Sequence, residues 1–132
     1  MSEAAEVEVG KASGSVLDYL VALAEGHEPI LHAGQYLNPV LVRVVVGGRL
    51  IAWRPSRDWG QCGPMLDAWC KGFGLVQDGE SKRWRSFAYG SEPFQRLAGG
   101  ESILVAACRA RALVVLGESA TVPVELLEVP RG

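Results

Sequence analysis

The sequence predicts a single α+β domain in which a small antiparallel β-sheet has about three α-helices packed mainly on one face. The chain has 132 residues, 48% hydrophobic and 21% charged, which suits one globular domain with its own core. Three stretches carry apolar residues at helical spacing. Two pairs of strand-like segments are joined by Gly47-Gly48 and Asp78-Gly79, which are turns that connect antiparallel strands. We expect the domain to cover residues 1–132, with loose ends at 1–5 and 129–132.

One strand and one helix are predicted before residue 40. Glu6-Val7-Glu8-Val9 alternates polar and apolar residues, as a half-buried strand does. Ser15 and Asp18 match a capping box at the start of a helix, and Gly26 suits the left-handed conformation that closes it. Residues 27–39 have the composition of a loop.

A hairpin and a second helix follow. Residues 40–46 are strongly β-branched, and residues 49–53 return as the partner strand. Residues 54–63 have loop composition, and Pro64 fits the first turn of a helix that reaches Phe73.

The last part of the chain predicts two strands, a loop, a long helix and a short helical turn. These elements are the strands 75–77 and 82–89, the loop 90–100, the helix 103–116 and the turn 121–127. Ser102 is placed to cap the long helix, and Gly117 is placed to end it. Because this helix is apolar nearly all round, we expect it to be the central buried one.

Charge and cysteine content argue against several classes of protein. The net charge is −2 and the pI is about 5.7, so the whole molecule presents no positive field to nucleic acid or anionic lipid. The chain opens on acidic residues without an export signal, and its cysteines are odd in number. We therefore expect free thiols in a cytoplasmic protein. No uncharged apolar stretch is long enough to cross a bilayer.

Three collinear segments carry a resemblance to a known family. They are Leu17-Asp18-Tyr19 in the first helix, Pro55-Ser56-Arg57-Asp58-Trp59-Gly60-Gln61-Cys62-Gly63-Pro64 in the middle, and Ala106-Ala107-Cys108-Arg109 near the end. Together they resemble the phage NinX-like family, small proteins encoded by tailed phages and prophages, over about residues 13–128. The chain departs from the family pattern at Arg57, Gly60, Cys62 and Cys108, and its segment 27–50 is longer. The resemblance implies a phage origin, a bacterial host cell and a shared fold, and it implies no activity.

The Trp53–Pro64 loop is the strongest candidate site. Its candidate binding residues are Trp53, Arg54, Arg57, Asp58, Trp59 and Gln61. Tryptophan and arginine are the residues that most often anchor interfaces. These observations favour a non-enzymatic accessory protein that binds a host or phage macromolecule, a protein rather than a nucleic acid, through this loop. A structural interpretation stays open, in which Asp58 caps backbone amides and Trp59 fills the core.

Two other functions remain open. A small enzyme would need a cleft around Asp58, Gln61, Cys62 and a histidine, although nothing in the spacing requires these residues to meet. A nucleic-acid binder would use the segment Lys82–Arg85 with Arg54 and Arg57, although alternation along a strand would send these cations to opposite faces.

Metal and cofactor sites are not predicted. The soft metal ligands are His27, His32, Cys62, Cys70 and Cys108. Their spacing matches no standard zinc arrangement, and the scattered glycines form no phosphate-binding loop. We therefore predict no cofactor, no metal and no catalytic residue, and the sequence leaves the oligomeric state undetermined.

Overall fold

A computed structural model of the chain describes residues 4–32, 40–79, 81–89 and 95–127. The α-helices in these ranges are α1 (Gly14–Ala24), α2 (Trp59–Trp69) and α3 (Ile103–Leu116). The strands are β1 (Ala4–Glu8), β2 (Ile30–His32), β3 (Leu41–Val46), β4 (Arg49–Ala52), β5 (Cys70–Asp78), β6 (Ser81–Tyr89), β7 (Gln95–Gly100) and β8 (Ser119–Pro123). Short 3-10 helices cover Val9–Lys11 and Val124–Leu127. The predicted α+β class with three helices is confirmed.

The described strands form three small antiparallel sheets. One pairs β1 with β8, the second has the order β2-β3-β4, and the third has the order β5-β6-β7. Both predicted hairpins are present, with Val45 opposite Leu50 in one and Leu75 opposite Trp84 in the other. The antiparallel pairing was predicted, whereas the division into three sheets was not.

The core is built around α3, as its uniform apolar character predicts. Ser102 caps this helix by accepting the Val105 backbone N–H at 3.1 Å, and Gly117 ends it with a φ of 88°. The helix contacts α1, β6 and β7. Leu17 and Leu20 of α1 are fully buried in the same core, and each contributes about 1.5–3 kcal/mol through burial.

Two arginines of α3 tie distant segments to it. Arg109 donates to the backbone carbonyls of Ala12 at 2.7 Å and Gly99 at 2.9 Å. Arg111 donates to Glu25 at 2.9 Å. Because the two arginines are about 200° apart around the helix, they reach different neighbours.

The second helix differs from its prediction at both ends. It begins at Trp59, with Asp58 as N-cap, so that Pro64 lies inside the helix rather than in its first turn. It ends at Trp69, because Cys70 and Gly72 pair with β6 across an irregularity in the register. Gly72 and Gly74 disfavour a continued helix because of their conformational entropy, and pairing with β6 satisfies the backbone groups there.

Three short strands were not predicted as strands. β2 lies in the predicted loop 27–39, β7 lies in the predicted loop 90–100, and the last three residues of β8 lie in the predicted helical turn 121–127. β8 pairs with β1, β2 pairs with β3, and β7 pairs with β6. Their strand conformation therefore depends on the partner strand more than on their own composition. Residues 33–39 and 90–94 of the predicted loops lie outside the described residues.

Two residues of the N-terminal segment 1–5 lie in a strand. Ala4 pairs with Pro123 and Ala5 pairs with Val122, so both belong to β1. Residues 1–3 and 129–132 lie outside the described ranges. Within those ranges, no helix combines the length and apolar character needed to cross a membrane.

Candidate functional site

The start of α1 places Asp18 inside the helix, where its side chain contacts the Trp53–Pro64 loop. The helix begins at Gly14, and Ser13, its N-cap, makes no side-chain capping hydrogen bond. The predicted capping box of Ser15 and Asp18 was therefore wrong. Asp18 instead lies one turn inside the helix, fully buried, and its carboxylate points to the Trp53–Pro64 loop.

The Asp18 carboxylate holds two consecutive residues of that loop. One oxygen accepts the backbone N–H of Ser56 at 3.0 Å, and the other accepts Nη2 of Arg57 at 3.2 Å. Burial raises the pKa of Asp18, and the Ser56 amide and the Arg57 guanidinium offset only part of this effect. The carboxylate is a desolvated acceptor at the base of the loop.

Trp53 contributes to the core rather than to the surface. Its side chain is 8% exposed, and its ring meets the His27 ring edge-on at 5.1 Å between centroids. Its backbone N–H donates to the Val42 carbonyl at 2.8 Å, which extends the pairing of β3 and β4. The indole N–H has no hydrogen-bond partner among the described residues, so the side chain acts through packing.

Asp58 and Gln61 brace the loop. Asp58 accepts the Gly60 backbone N–H at 2.8 Å and so caps α2. The Gln61 amide oxygen accepts the Arg54 backbone N–H at 2.7 Å, and its nitrogen donates to the Ala52 carbonyl at 2.6 Å. One side chain therefore joins the first turn of α2 to the end of β4.

Trp59, Arg54 and Arg57 are the candidate residues that face solvent. Trp59 is 56% exposed although it is a large aromatic side chain, and the Arg57 side chain is 52% exposed. Arg54 is also exposed. The loop therefore presents one indole and two guanidinium groups on a braced backbone.

An open groove of about 540 Å³ lies beside Trp59. Its lining residues are Ser56, Arg57, Trp59, Trp84, Glu101, Ser102, Ile103, Leu104 and Val105. Trp84 comes from β6, and the last three come from the first turn of α3, preceded by Glu101 and the cap residue Ser102. The predicted binding residues included neither Trp84 nor the α3 residues, because only the fold brings them to the loop.

The two described arginines of β6 do not lie at this groove. Arg83 and Arg85 are exposed, and they alternate with Trp84 along the strand. They therefore point to the opposite face of the sheet from the groove. The side chain of Lys82 lies outside those described.

Of the residues in the alternative enzyme cleft, Cys62 has no solvent-exposed surface. Cys62 is fully buried, and its sulfur lies 3.9 Å from the equally buried sulfur of Cys108. This contact lowers the pKa of Cys62, and together with burial it raises the pKa of Cys108. His27 packs on Trp53, whereas His32 is exposed at the end of β2. In the described part of the chain, no three His, Cys, Asp or Glu side chains come together as metal ligands.

Comparison with known proteins identifies the family. The family model described as Bacteriophage P22, NinX matches residues 8–114, which include α1, the Trp53–Pro64 loop and most of α3. No curated protein matches the chain significantly. The resemblance carried by the three sequence segments is confirmed, and the phage origin that it implies follows. The chain belongs to the phage NinX family.

Proposed function

We propose that this phage-encoded chain is a non-enzymatic binding module that holds a segment of a partner protein in the groove beside Trp59. The supporting observation is the exposure of Trp59 at a groove that Trp84 and Arg57 also line. Tryptophan and arginine dominate the binding energy of protein interfaces, and an exposed indole beside a concave surface is typical of such an anchor.

The bracing of the loop supports binding without a large rearrangement. Asp18 and Gln61 bind backbone groups that precede Trp59 in sequence, and Asp58 binds the Gly60 N–H that follows it. A surface that is already ordered loses less conformational entropy when a partner binds. In this proposal Trp59 and Arg57 are the anchors, Arg54 contributes at the rim, and Trp53 supports the loop from the core.

The charge pattern supports a protein partner over a nucleic acid. Among the described side chains, the groove is lined by one cation, Arg57, and one anion, Glu101, and Arg57 already pairs with Asp18. Arg83 and Arg85 lie on the other face of β6. A phosphate backbone requires several cations along one surface, whereas a peptide needs an apolar anchor and a few polar contacts. We place the module in the host cytoplasm.

The proposal is tested by comparing partners captured from a lysate of the bacterial host by immobilised wild-type protein, Trp59→Ala and Val45→Ala. Val45 is a suitable control because it is 53% exposed and lies on the distant β3–β4 hairpin. We expect Trp59→Ala to reduce capture of a specific protein about tenfold or more, while Val45→Ala retains it. Both variants should unfold cooperatively near the wild-type midpoint.

Two outcomes would count against a protein-binding groove. Equal capture by Trp59→Ala and wild type would remove Trp59 as an anchor. Capture that disappears after nuclease treatment, and that weakens steeply with salt, would assign the surface to nucleic acid instead.

A further inference from the structure

Two of the three cysteines face each other in the core. Cys62 lies in α2 and Cys108 in α3, 46 residues later, and both side chains are fully buried. Their sulfur atoms are 3.9 Å apart. A disulfide bond is about 2.05 Å long, so each sulfur needs to move by roughly 1 Å, which is within reach of a side-chain rotation.

We propose that Cys62 and Cys108 form an oxidation site, at which hydrogen peroxide converts the thiol pair to an internal disulfide between α2 and α3. The site is independent of the groove function. Hydrogen peroxide is the oxidant that we propose, because it is close to water in size and needs only a limited opening to reach a buried thiol.

The chemistry follows from the contact between the two thiols. The contact between the two sulfurs lowers the pKa of Cys62 and raises that of Cys108, so Cys62 is the sulfur that ionises first. The Cys62 thiolate attacks one peroxide oxygen, the O–O bond breaks, and the leaving hydroxide takes up the thiol proton as water. Cys62 then carries a sulfenic acid.

The second thiol completes the reaction. Cys108 sulfur attacks Cys62 sulfur, the S–O bond breaks, and the hydroxyl group leaves with the Cys108 proton as a second water. Two thiols lose two electrons, and one peroxide is reduced to two waters. Sulfur–sulfur contact at 3.9 Å favours this step over further oxidation of Cys62.

Access to the pair is expected through α2. Pro64 removes one backbone hydrogen-bond donor inside this helix. Gly60 and Gly63 have low helix propensity and weaken it further. Short helices with these residues open locally more readily than the central helix does. Transient opening of α2 exposes Cys62 to peroxide, and reclosure returns it to Cys108.

Cys70 provides an internal contrast. Its sulfur lies 3.4 Å from the Ser86 hydroxyl and 3.5 Å from the Gly72 carbonyl, and neither of the other two cysteines, both described, contacts it. Oxidation at Cys70 therefore leads to an oxygenated sulfur rather than to an internal cross-link, and Cys70→Ala is the matched control.

The test exposes the native protein to hydrogen peroxide, removes the peroxide, unfolds the protein and alkylates free thiols with N-ethylmaleimide. Mass spectrometry of oxidised wild type should find no adduct on Cys62 or Cys108 and a peptide link between them, and dithiothreitol should restore an adduct on each. Cys70→Ala should form the same link. Cys62→Ala and Cys108→Ala should form none.

The midpoint of thermal unfolding provides a second readout. We expect oxidation to raise Tm by several degrees in wild type and Cys70→Ala, because the cross-link restricts the unfolded chain. Adducts on both Cys62 and Cys108 after peroxide treatment, or a link through Cys70, would overturn the proposal. Peptide mapping of wild type decides the matter even if a core variant does not fold.

Discussion

The Asp18 carboxylate of α1 accepts the backbone N–H of Ser56 at 3.0 Å, across 38 residues of sequence. Through this bond the first helix holds the loop that carries Arg57 and Trp59. Because Asp18 is fully buried, its hydrogen bonds are shielded from competition with water. This contact makes the position of the candidate groove dependent on a residue far from it in sequence.

Replacing Asp18 by alanine should lower the free energy of unfolding by about 1–3 kcal/mol. The buried Ser56 N–H would lose its acceptor, and Arg57 would lose its partner. Alanine favours helix more than aspartate does, so a loss cannot come from helix propensity. Urea unfolding measures the change.

The matched control for this variant is Asp67→Ala, at an exposed position of α2. It should change stability by less than about 0.5 kcal/mol. Similar losses in both variants would mean that the Asp18 contacts do not contribute specifically.

The pH dependence of stability should carry the signature of Asp18. Its pKa is raised from the usual value near 3.8 because burial disfavours the charged carboxylate. The folded protein therefore binds the Asp18 proton more tightly than the unfolded chain does. The resulting contribution to the free energy of unfolding is present at low pH and is lost as pH rises through the raised pKa.

This dependence can be measured as the difference in unfolding free energy between wild type and Asp18→Asn, from about pH 4 to about pH 8. We expect the wild-type advantage to decrease with rising pH and then to become constant. An advantage that increases with pH would show that the Ser56 amide and the Arg57 guanidinium outweigh burial.

Replacing Gln61 by glutamate should destabilise the loop by about 1–2 kcal/mol at neutral pH. The change keeps the shape of the side chain, but places a carboxylate oxygen against the Ala52 carbonyl that now accepts from the amide nitrogen. The other contact, with the Arg54 N–H, is retained.

Protonation offers a rescue for this variant, because a carboxylic acid can donate to the Ala52 carbonyl. Urea unfolding of Gln61→Glu and wild type should therefore give a smaller difference near pH 4 than near pH 7. A difference independent of pH would mean that the Gln61–Ala52 bond contributes little.

Replacing Gly100 by alanine should destabilise the junction of β7 and α3. A Cβ atom there would lie 2.8 Å from the Val105 side chain and 2.9 Å from the Ala106 backbone nitrogen. Backbone cannot move away as a flexible side chain does, so we expect a loss of about 1–3 kcal/mol.

Gly99→Ala is the neighbouring control. Its nearest contact, the Trp84 carbonyl oxygen at 3.5 Å, is an ordinary van der Waals distance. Thermal unfolding of both variants measures the contrast. An equal loss would show that strand propensity, rather than the approach of α3, determines the cost at Gly100.

Local signals in the sequence were sufficient for part of the fold. Ser102 and Gly117 delimit α3, and Gly47-Gly48 forms the turn between β3 and β4 with positive φ at both residues. The segment Pro55–Pro64 and its two companions were sufficient to identify the family. These features depend on residues close together in sequence, so they can be predicted without knowing which distant segments pack against them.

Tertiary structure alone decided the rest. Trp53 and Trp59 are six positions apart in one predicted loop, yet the fold buries the first and exposes the second. Which indole faces solvent depends on packing against His27 and on the cap at Asp58. The groove needs Trp84 and α3 beside the loop, and Asp18 was expected at a helix cap. These contacts join residues distant in sequence. They stabilise the protein only after folding has brought those residues together, so no local sequence pattern predicts them.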